Sequence, residues 1–354
     1  AMRGFGVGQA TVVHESQMDL LAAEIGMDPI ELRLKNTLYQ GSTVGTRQVL
    51  GGSVAIGETL RRIREVRDRR LEEGLPSESE TGEGRGGGRN GRGAPRRLLY
   101  GMGVASMWHG VGVTGLPNPS SARLEVDEAG ELTLFTGAAD LGQGAATVLA
   151  QVAAEEMGLP FEAVHTVQGD TGCTPDAGVS AATRQTFMSG NAIRLAAQEI
   201  RRELVPALAN VLEAHAEDVF VENGRVAVRG TRGRGLPFGE AARRAVADRE
   251  GKGFSAEATF EPETTSLDPR TGEGAPYMTY SFGSQLAEVA VDADTGEVKV
   301  LRVTAAHEVG RAINPLLIEG QLNGGVAMGM GYGLFERFEP YRSRNFQDYH
   351  LPRT

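Results

Sequence analysis

The residues of this chain that could do chemistry sit in short glycine-bearing loops, each running into a helical pattern. Asp140-Leu141-Gly142-Gln143-Gly144 precedes an apolar helical stretch at 145–157. Gly178-Val179-Ser180-Ala181-Ala182-Thr183-Arg184-Gln185 precedes a longer one, and Arg3-Gly4-Phe5-Gly6 precedes the first. Small residues let a ligand approach the backbone closely. A helix start offers unpaired N–H groups and a partial positive charge, suited to phosphate or another anion. Gln143, Thr183, Gln185 and Gln321 add amide and hydroxyl groups able to bond a polar heterocycle. One such loop is an ordinary turn. Three in one chain point to a large, polar, phosphate-bearing cofactor spread over several helix starts.

Other chemistries find less support. The six histidines are His14, His109, His165, His215, His307 and His350, and none has a second histidine at metal-ligand spacing. Cys173 is the only cysteine, which excludes an internal disulfide. An iron–sulfur cluster built by this chain is excluded too, since it needs about four thiolates. There is no G-x-S-x-G elbow and no phosphate-binding G-x-x-x-x-G-K-[ST] loop. Gly4-Phe5-Gly6-Val7-Gly8 follows no strand in this sequence and lacks the last glycine spacing of a dinucleotide loop. His307-Glu308, just before Gly310, reads as structural. A net charge of −10 argues against nucleic acid as a partner. No apolar run reaches the ~18 residues that cross a bilayer.

The elements that must position the loops follow from periodicity. Residues 11–25 repeat apolar positions at helical spacing, and Gly26 is a natural stop. Asp28-Pro29-Ile30-Glu31 restarts a helix, with Asp as N-cap and Pro in the first turn. A charged helical run covers 56–73. Residues 76–97 hold arginine and glycine without apolar period, which predicts a disordered linker. An RNA-binding reading of that stretch lacks the interleaved aromatics it would need. Beyond it, Ala122–Thr136 alternates about Asp127-Glu128-Ala129-Gly130, predicting a hairpin. A helix at 145–157, a strand at 164–167, a helix at 189–215 and a second hairpin over 285–302 follow. Asn314-Pro315 then starts a last helix, in which Gly324, Gly325, Gly329 and Gly333 suggest close helix packing. Strands and helices mix without regular βαβ alternation, so the fold class is α+β, with mixed sheets and packed helices. The expected organisation is the C-terminal part of a first domain at 1–75, the linker at 76–97 and a second domain, without its C-terminal end, at 98–354. The 49 glycines thus divide among linker, helix and loop positions.

Taken in order, these segments resemble the molybdopterin-binding subunit of the xanthine dehydrogenase and aldehyde oxidase family, the molybdenum hydroxylases. The resemblance runs through Arg3-Gly4-Phe5-Gly6 with Gln9 and Glu15, then Gly26-Met27-Asp28-Pro29-Ile30-Glu31-Leu32-Arg33 with Lys35-Asn36. It continues through Asp140–Gly144 with Gln151, Gly169-Asp170-Thr171, Ala181-Ala182-Thr183-Arg184 and Gly190-Asn191-Ala192. It ends with Tyr280-Ser281-Phe282-Gly283, Ala287-Glu288-Val289, Gly310-Arg311-Ala312-Ile313-Asn314-Pro315 and Glu319-Gly320-Gln321. The match covers nearly the whole chain outside 76–97.

The resemblance implies a molybdenum–molybdopterin cofactor, in its cytosine dinucleotide form, with the metal held by pterin sulfurs and not by side chains. By position, Arg3 resembles a residue whose backbone nears the metal, with Gly4 beside it as a cofactor contact, and Ala182 lies near the metal as well. Phe5 resembles an aromatic wall for a planar substrate. Leu141, Gly142, Gln143 and Gly144 resemble a pterin loop, Ala181, Ala182, Thr183 and Gln185 the loop beside metal and pterin, and Gln321 a further pterin contact. The family's second aromatic wall falls here near Trp108 and His109, where Gly112 and Val113 stand in place of Phe. The implied reaction is oxidative hydroxylation of an N-heterocycle or purine, with water as oxygen source and a glutamate as base. That glutamate is expected beyond Thr354, so no residue of this chain is named catalytic and the isolated chain is expected to be inactive. An aldehyde substrate, or a non-catalytic cofactor-binding scaffold, are the alternatives. Expected partners are the remaining segments of the molybdopterin subunit, a 2Fe-2S subunit, an FAD subunit and a small-molecule substrate, in a hetero-oligomer without nucleic acid or membrane. The cytoplasm is the expected location, with the periplasm left open.

Overall fold

A computed structural model of the chain describes residues 3–74, 98–231, 233–345 and 347. Its elements in order are α1 (Val7–Glu24), α2 (Pro29–Lys35), α3 (Ile56–Glu73), β1 (Leu98–Gly110), β2 (Ser120–Val126), β3 (Leu132–Thr136), α4 (Ala145–Met157) and β4 (Val164–Gln168). There follow α5 (Gln185–Val211), β5 (Val219–Glu222), β6 (Arg225–Val228), β7 (Gly235–Pro237), α6 (Phe238–Ala247), β8 (Phe254–Phe260), β9 (Tyr280–Asp292), β10 (Val298–Glu308) and α7 (Pro315–Met330). The expected linker at 76–97 lies outside the described residues.

The chain folds into two compact units. One gathers the described residues of Ala1–His109, Thr279–Ala312 and Ile318–Thr354; the other is Gly110–Met278 with Ile313–Leu317. Compactness and family pattern therefore divide the chain in different ways, because β1, far from β9 and β10 in sequence, shares a sheet with them in the order β1-β9-β10.

In the first unit α3 lays Ile56, Leu60 and Ile63 on Phe282 and Leu286 of β9, with Ile30 of α2 completing the core. Thr59 and Ser284 share a buried hydrogen bond of 2.8 Å across that packing. The start of α2 follows its sequence signal: the Asp28 carboxylate accepts from the Ile30 and Glu31 N–H groups, at 2.8 and 3.0 Å. Arg33, 3% exposed, closes the α1–α2 corner, donating to the Glu15 and Asp19 carboxylates at 2.9 and 2.7 Å. The ring of His307 fills the side-chain space missing at Gly283, and burial lowers its pKa, which fits the structural reading.

In the second unit the first expected hairpin forms as β2 and β3, with every second residue buried. β3 pairs in parallel with β4, a pairing that needs a crossover, and α4 supplies it. β8 adds antiparallel to β2, giving the order β4-β3-β2-β8. Helix α5 packs across this sheet through Ile193, Ile200, Leu204 and Leu208. It runs from Gln185 to Val211, earlier at both ends than the expected 189–215. Left-handed residues set both limits: Ala182 and Thr183 (φ 53° and 60°) precede it and Glu213 (φ 49°) follows it. Mixed sheets with packed helices make the class α+β, as the sequence implied.

Candidate functional site

Two of the expected loops lie side by side in the second unit. Ala139, at the start of one, is the common anchor. Gln143 Nε2 donates to the Ala139 carbonyl at 3.1 Å, and Gln185 Nε2 donates to the same oxygen at 2.9 Å. The two amides also bond each other, Gln143 Nε2 to Gln185 Oε1 at 2.6 Å, and Gln185 Nε2 reaches Ser180 Oγ at 2.6 Å. Gln143 Oε1 takes the Leu141 N–H. Two of the side-chain amides expected to meet a heterocycle, Gln143 and Gln185, are thus already engaged, and they hold the loops to each other.

The start of α4, which the sequence offered to an anion, is also occupied. The Asp140 carboxylate accepts from the N–H groups of Gly142 (2.8 Å), Gly144 (3.3 Å) and Ala146 (3.0 Å). The Ala146 hydrogen bond, with those of Gly142 and Gly144, lowers the Asp140 pKa. Gly142 and Gly144 are left-handed, at φ 100° and 83°, and a Cβ at Gly144 would stand 2.8 Å from Leu317. Among the described residues the N–H groups of Gln143, Ala182 and Thr183 have no hydrogen-bond partner. Leu141, Ala181 and Thr183 are exposed beside them. The pair of loops therefore offers backbone donors on an accessible surface, while the Gln143 and Gln185 amides serve as struts between the loops.

The Asp140 strut has a pH signature. Its folded pKa is depressed, so its contribution to stability is present above the unfolded value of 3.8 and is lost as pH falls through the lower folded value. Asp140→Ala is expected to cost about 1 kcal/mol at neutral pH, since the carboxylate is a solvent-screened helix cap. Melting temperatures of the two proteins should converge below about pH 3.8. A gap that stays constant into that acid range would show that the charge is not the source.

The sequence did not single out what holds the second loop from behind. The Gly112 N–H donates to the Ala182 carbonyl at 2.9 Å. Arg184, 1% exposed, donates to four carbonyl oxygens and so ties 177–179 to 118–119. Burial lowers its pKa, and Asp176 offsets part of that shift. The signal for Gly112 was its place where an aromatic was expected; a buried arginine leaves no such mark in sequence.

The first unit carries the remaining expected residues. Gly4, Phe5 and Gly6 form a run of left-handed residues (φ 94°, 46° and 93°), and nothing lies within 4 Å of a Cβ at either glycine. Phe5 lines an open cleft of about 460 Å³ with Gly6, Gln9, Tyr332, Glu336 and Phe338. Arg3 lies along α7, its guanidinium nitrogens 3.9 and 4.0 Å from where Cβ atoms would stand at Gly324 and Gly325. These glycines sit a turn beyond Gln321, which is exposed. The close helix packing expected at Gly324, Gly325, Gly329 and Gly333 is not seen among the described residues: Arg3 lies against the first two, and the other two face open space. Trp108 packs on Tyr280 with ring centroids 4.9 Å apart, and the Tyr280 hydroxyl donates to Gln48 at 2.6 Å, a structural contact.

Backbone strain marks the same places. Phe5, Ala182 and Thr183 are three of the eight described non-glycine residues with left-handed φ, and all three fall in the loops expected to meet a cofactor. Such conformations cost about 1–3 kcal/mol each and persist where the surroundings impose them, often at functional sites.

A family model described as a molybdopterin cofactor-binding domain matches residues 79–354, and a second with the same description matches 1–37. The chain is 28% identical to the nicotine 6-hydroxylase large subunit of Paenarthrobacter nicotinovorans, over 99% of this chain and 42% of that protein. It is 30% identical to the xanthine dehydrogenase molybdenum-binding subunit of Escherichia coli O157:H7, over 99% of this chain and 44% of that one. The solved aldehyde oxidoreductase from Desulfovibrio gigas superposes with a TM-score of 0.77 at 27% identity, covering 99% of this chain and 34% of that chain. The chain thus spans less than half the length of these relatives.

Proposed function

From the premise that the chain belongs to the molybdopterin cofactor-binding subunits of the xanthine dehydrogenase and aldehyde oxidase family, we propose that it supplies part of the cofactor site of a molybdenum hydroxylase. The observation that carries this reading is the pair of locked loops at Leu141–Gly144 and Ala181–Gln185, with free backbone donors at Gln143, Ala182 and Thr183. A pterin is a planar heterocycle rich in hydrogen-bonding edges, and backbone donors on fixed loops suit it. When bound, the cofactor supplies the redox chemistry and the Lewis acidity of the metal. The chain's own residues bind and orient. Leu141, Gly142, Gln143, Gly144, Ala181, Ala182, Thr183 and Gln185 would present the pterin surface in one unit, and Arg3, Gly4 and Gln321 would do so in the other. Phe5 would form an apolar wall for a planar substrate. No glutamate of this chain is assigned the role of base.

The reaction we infer is oxidative hydroxylation of an N-heterocycle with water as oxygen source, in keeping with the nicotine 6-hydroxylase likeness. An aldehyde substrate is the second reading. It is favoured by the buried Gly112, bonded to Ala182 where the resemblance placed an aromatic wall, which leaves no ring there to sandwich a purine. The cofactor's cytosine dinucleotide form, the 2Fe-2S and FAD partners in a hetero-oligomer, the cytoplasmic location and the family domains at 1–75 and 98–354 belong to the same proposal. No helix among the described residues is long and apolar enough to cross a membrane.

The test is the composition of the native complex isolated through this chain. Molybdenum and pterin in equal amounts are expected, with cytidine monophosphate released on acid hydrolysis. A complex holding neither metal nor pterin would overturn the reading, and a pterin without the nucleotide would remove the dinucleotide part.

A further inference from the structure

Arg184 stands behind the loop that carries two of the three free donors. Its guanidinium is buried, and among the described residues no carboxylate forms a salt bridge with it. Instead Nη1 donates to the carbonyls of Ala177 (2.6 Å) and Val179 (3.1 Å). Nη2 donates to those of Asn118 (2.8 Å) and Pro119 (2.5 Å), while Nε has no partner. One planar fork thereby joins two stretches of chain, which a single ammonium could not do with the same geometry. The next residues back, Ala182 and Thr183, are left-handed without being glycine. Alanine and threonine do not hold that conformation by themselves. The restraints on them are the Gly112 N–H on the Ala182 carbonyl, the Arg184 N–H on the Ala181 carbonyl at 3.2 Å, and the buried anchor of Arg184 itself. Gly178 is shaped to the same fork: it is left-handed at φ 70°, and a Cβ there would stand 2.6 Å from Nη1.

We propose that Arg184 is a positioning residue of the cofactor site: its fork holds the Ala182–Thr183 backbone in the left-handed shape that meets the pterin. The pterin part rests on the function proposed above, whereas the hold on the loop stands on this geometry alone. The experiment separates them. In the full chain without cofactor, amide hydrogen exchange is read at Gly112 and Arg184, with Leu124 and Leu134 of the β2–β3 hairpin as controls. In the native complex, pterin and molybdenum per chain are measured on the folded fraction.

Arg184→Lys and Arg184→Gln are each expected to speed exchange at Gly112 and Arg184 (or its replacement) at least tenfold, with the hairpin amides unchanged. Pterin per chain is expected to fall at least tenfold, with no rescue by lysine although it keeps the charge. Protected amides in Arg184→Lys together with wild-type pterin content would overturn the proposal. If both variants unfold, so that hairpin protection is lost as well, Gly178→Ala decides, since it keeps the arginine but crowds Nη1. Loosening confined to Gly112 and Arg184 is expected there, and wild-type protection would overturn it. If the wild-type complex holds no pterin, the cofactor reading fails, and the exchange result still judges Arg184's hold on the loop.

Discussion

Gln143→Leu is expected to lower the pterin and molybdenum content of the native complex at least tenfold while leaving the chain folded. Gln143 makes three hydrogen bonds that leucine cannot: from Leu141, to Ala139 and to Gln185. Leucine keeps much of the volume, so the packing around α4 survives. It leaves Gln185 Oε1 without its donor and frees the 141–144 loop, whose remaining side-chain tether is Asp140. Each lost bond is worth about 1 kcal/mol net, and the loop is exposed enough for water to replace part of that. The melting temperature should therefore fall by only a few degrees. A tenfold loss of cofactor corresponds to about 1.4 kcal/mol, less than the bonding that keeps the two loops in register. Metal analysis and pterin fluorescence of wild type and variant check the outcome. Unchanged cofactor content would mean that the paired loops are not where the pterin binds.

A second large effect is expected in stability. Gly158 ends α4 at φ 71°, where the Leu159 N–H returns to the Ala154 carbonyl at 2.9 Å and the Gly158 carbonyl accepts from Gly224 at 3.0 Å. A Cβ there would stand 2.2 Å from the Val221 carbonyl oxygen, which is backbone of β5 and cannot rotate away. Gly158→Ala thus combines left-handed strain, roughly 1–2 kcal/mol, with overpacking of roughly 1–3 kcal/mol. The sum is a large share of the 5–15 kcal/mol, roughly, that holds a typical domain folded. A fall of the urea midpoint by a third or more is expected. An unchanged midpoint would show that β5 can move aside.

Much of the fold was legible in sequence because its signals are local. Asp28 caps α2 through bonds to residues two and three positions on, and the alternation of β2 and β3 is read along each strand. The limits of α5 were less legible. Apolar period continued past Val211, and only the left-handed Glu213 stops the helix there. The candidate loops were found as glycine-bearing helix starts, but their working was not legible. The N–H groups at the start of α4 look free in sequence, and Asp140 takes them. Gln143 and Gln185 look available, and they bond each other across 42 positions of chain. Arg184 carries no mark in sequence of the buried clamp that it is.

The sequence by itself determined the α+β class, the family and the loops in which the chemistry is to be sought, because residue type, spacing and order carry that information directly. The tertiary structure alone decided which donors remain free. Whether a polar group is satisfied depends on every partner that folding brings to it, and the partners of the second loop, Gly112, Asn118, Pro119 and Ala139, come from distant parts of the chain.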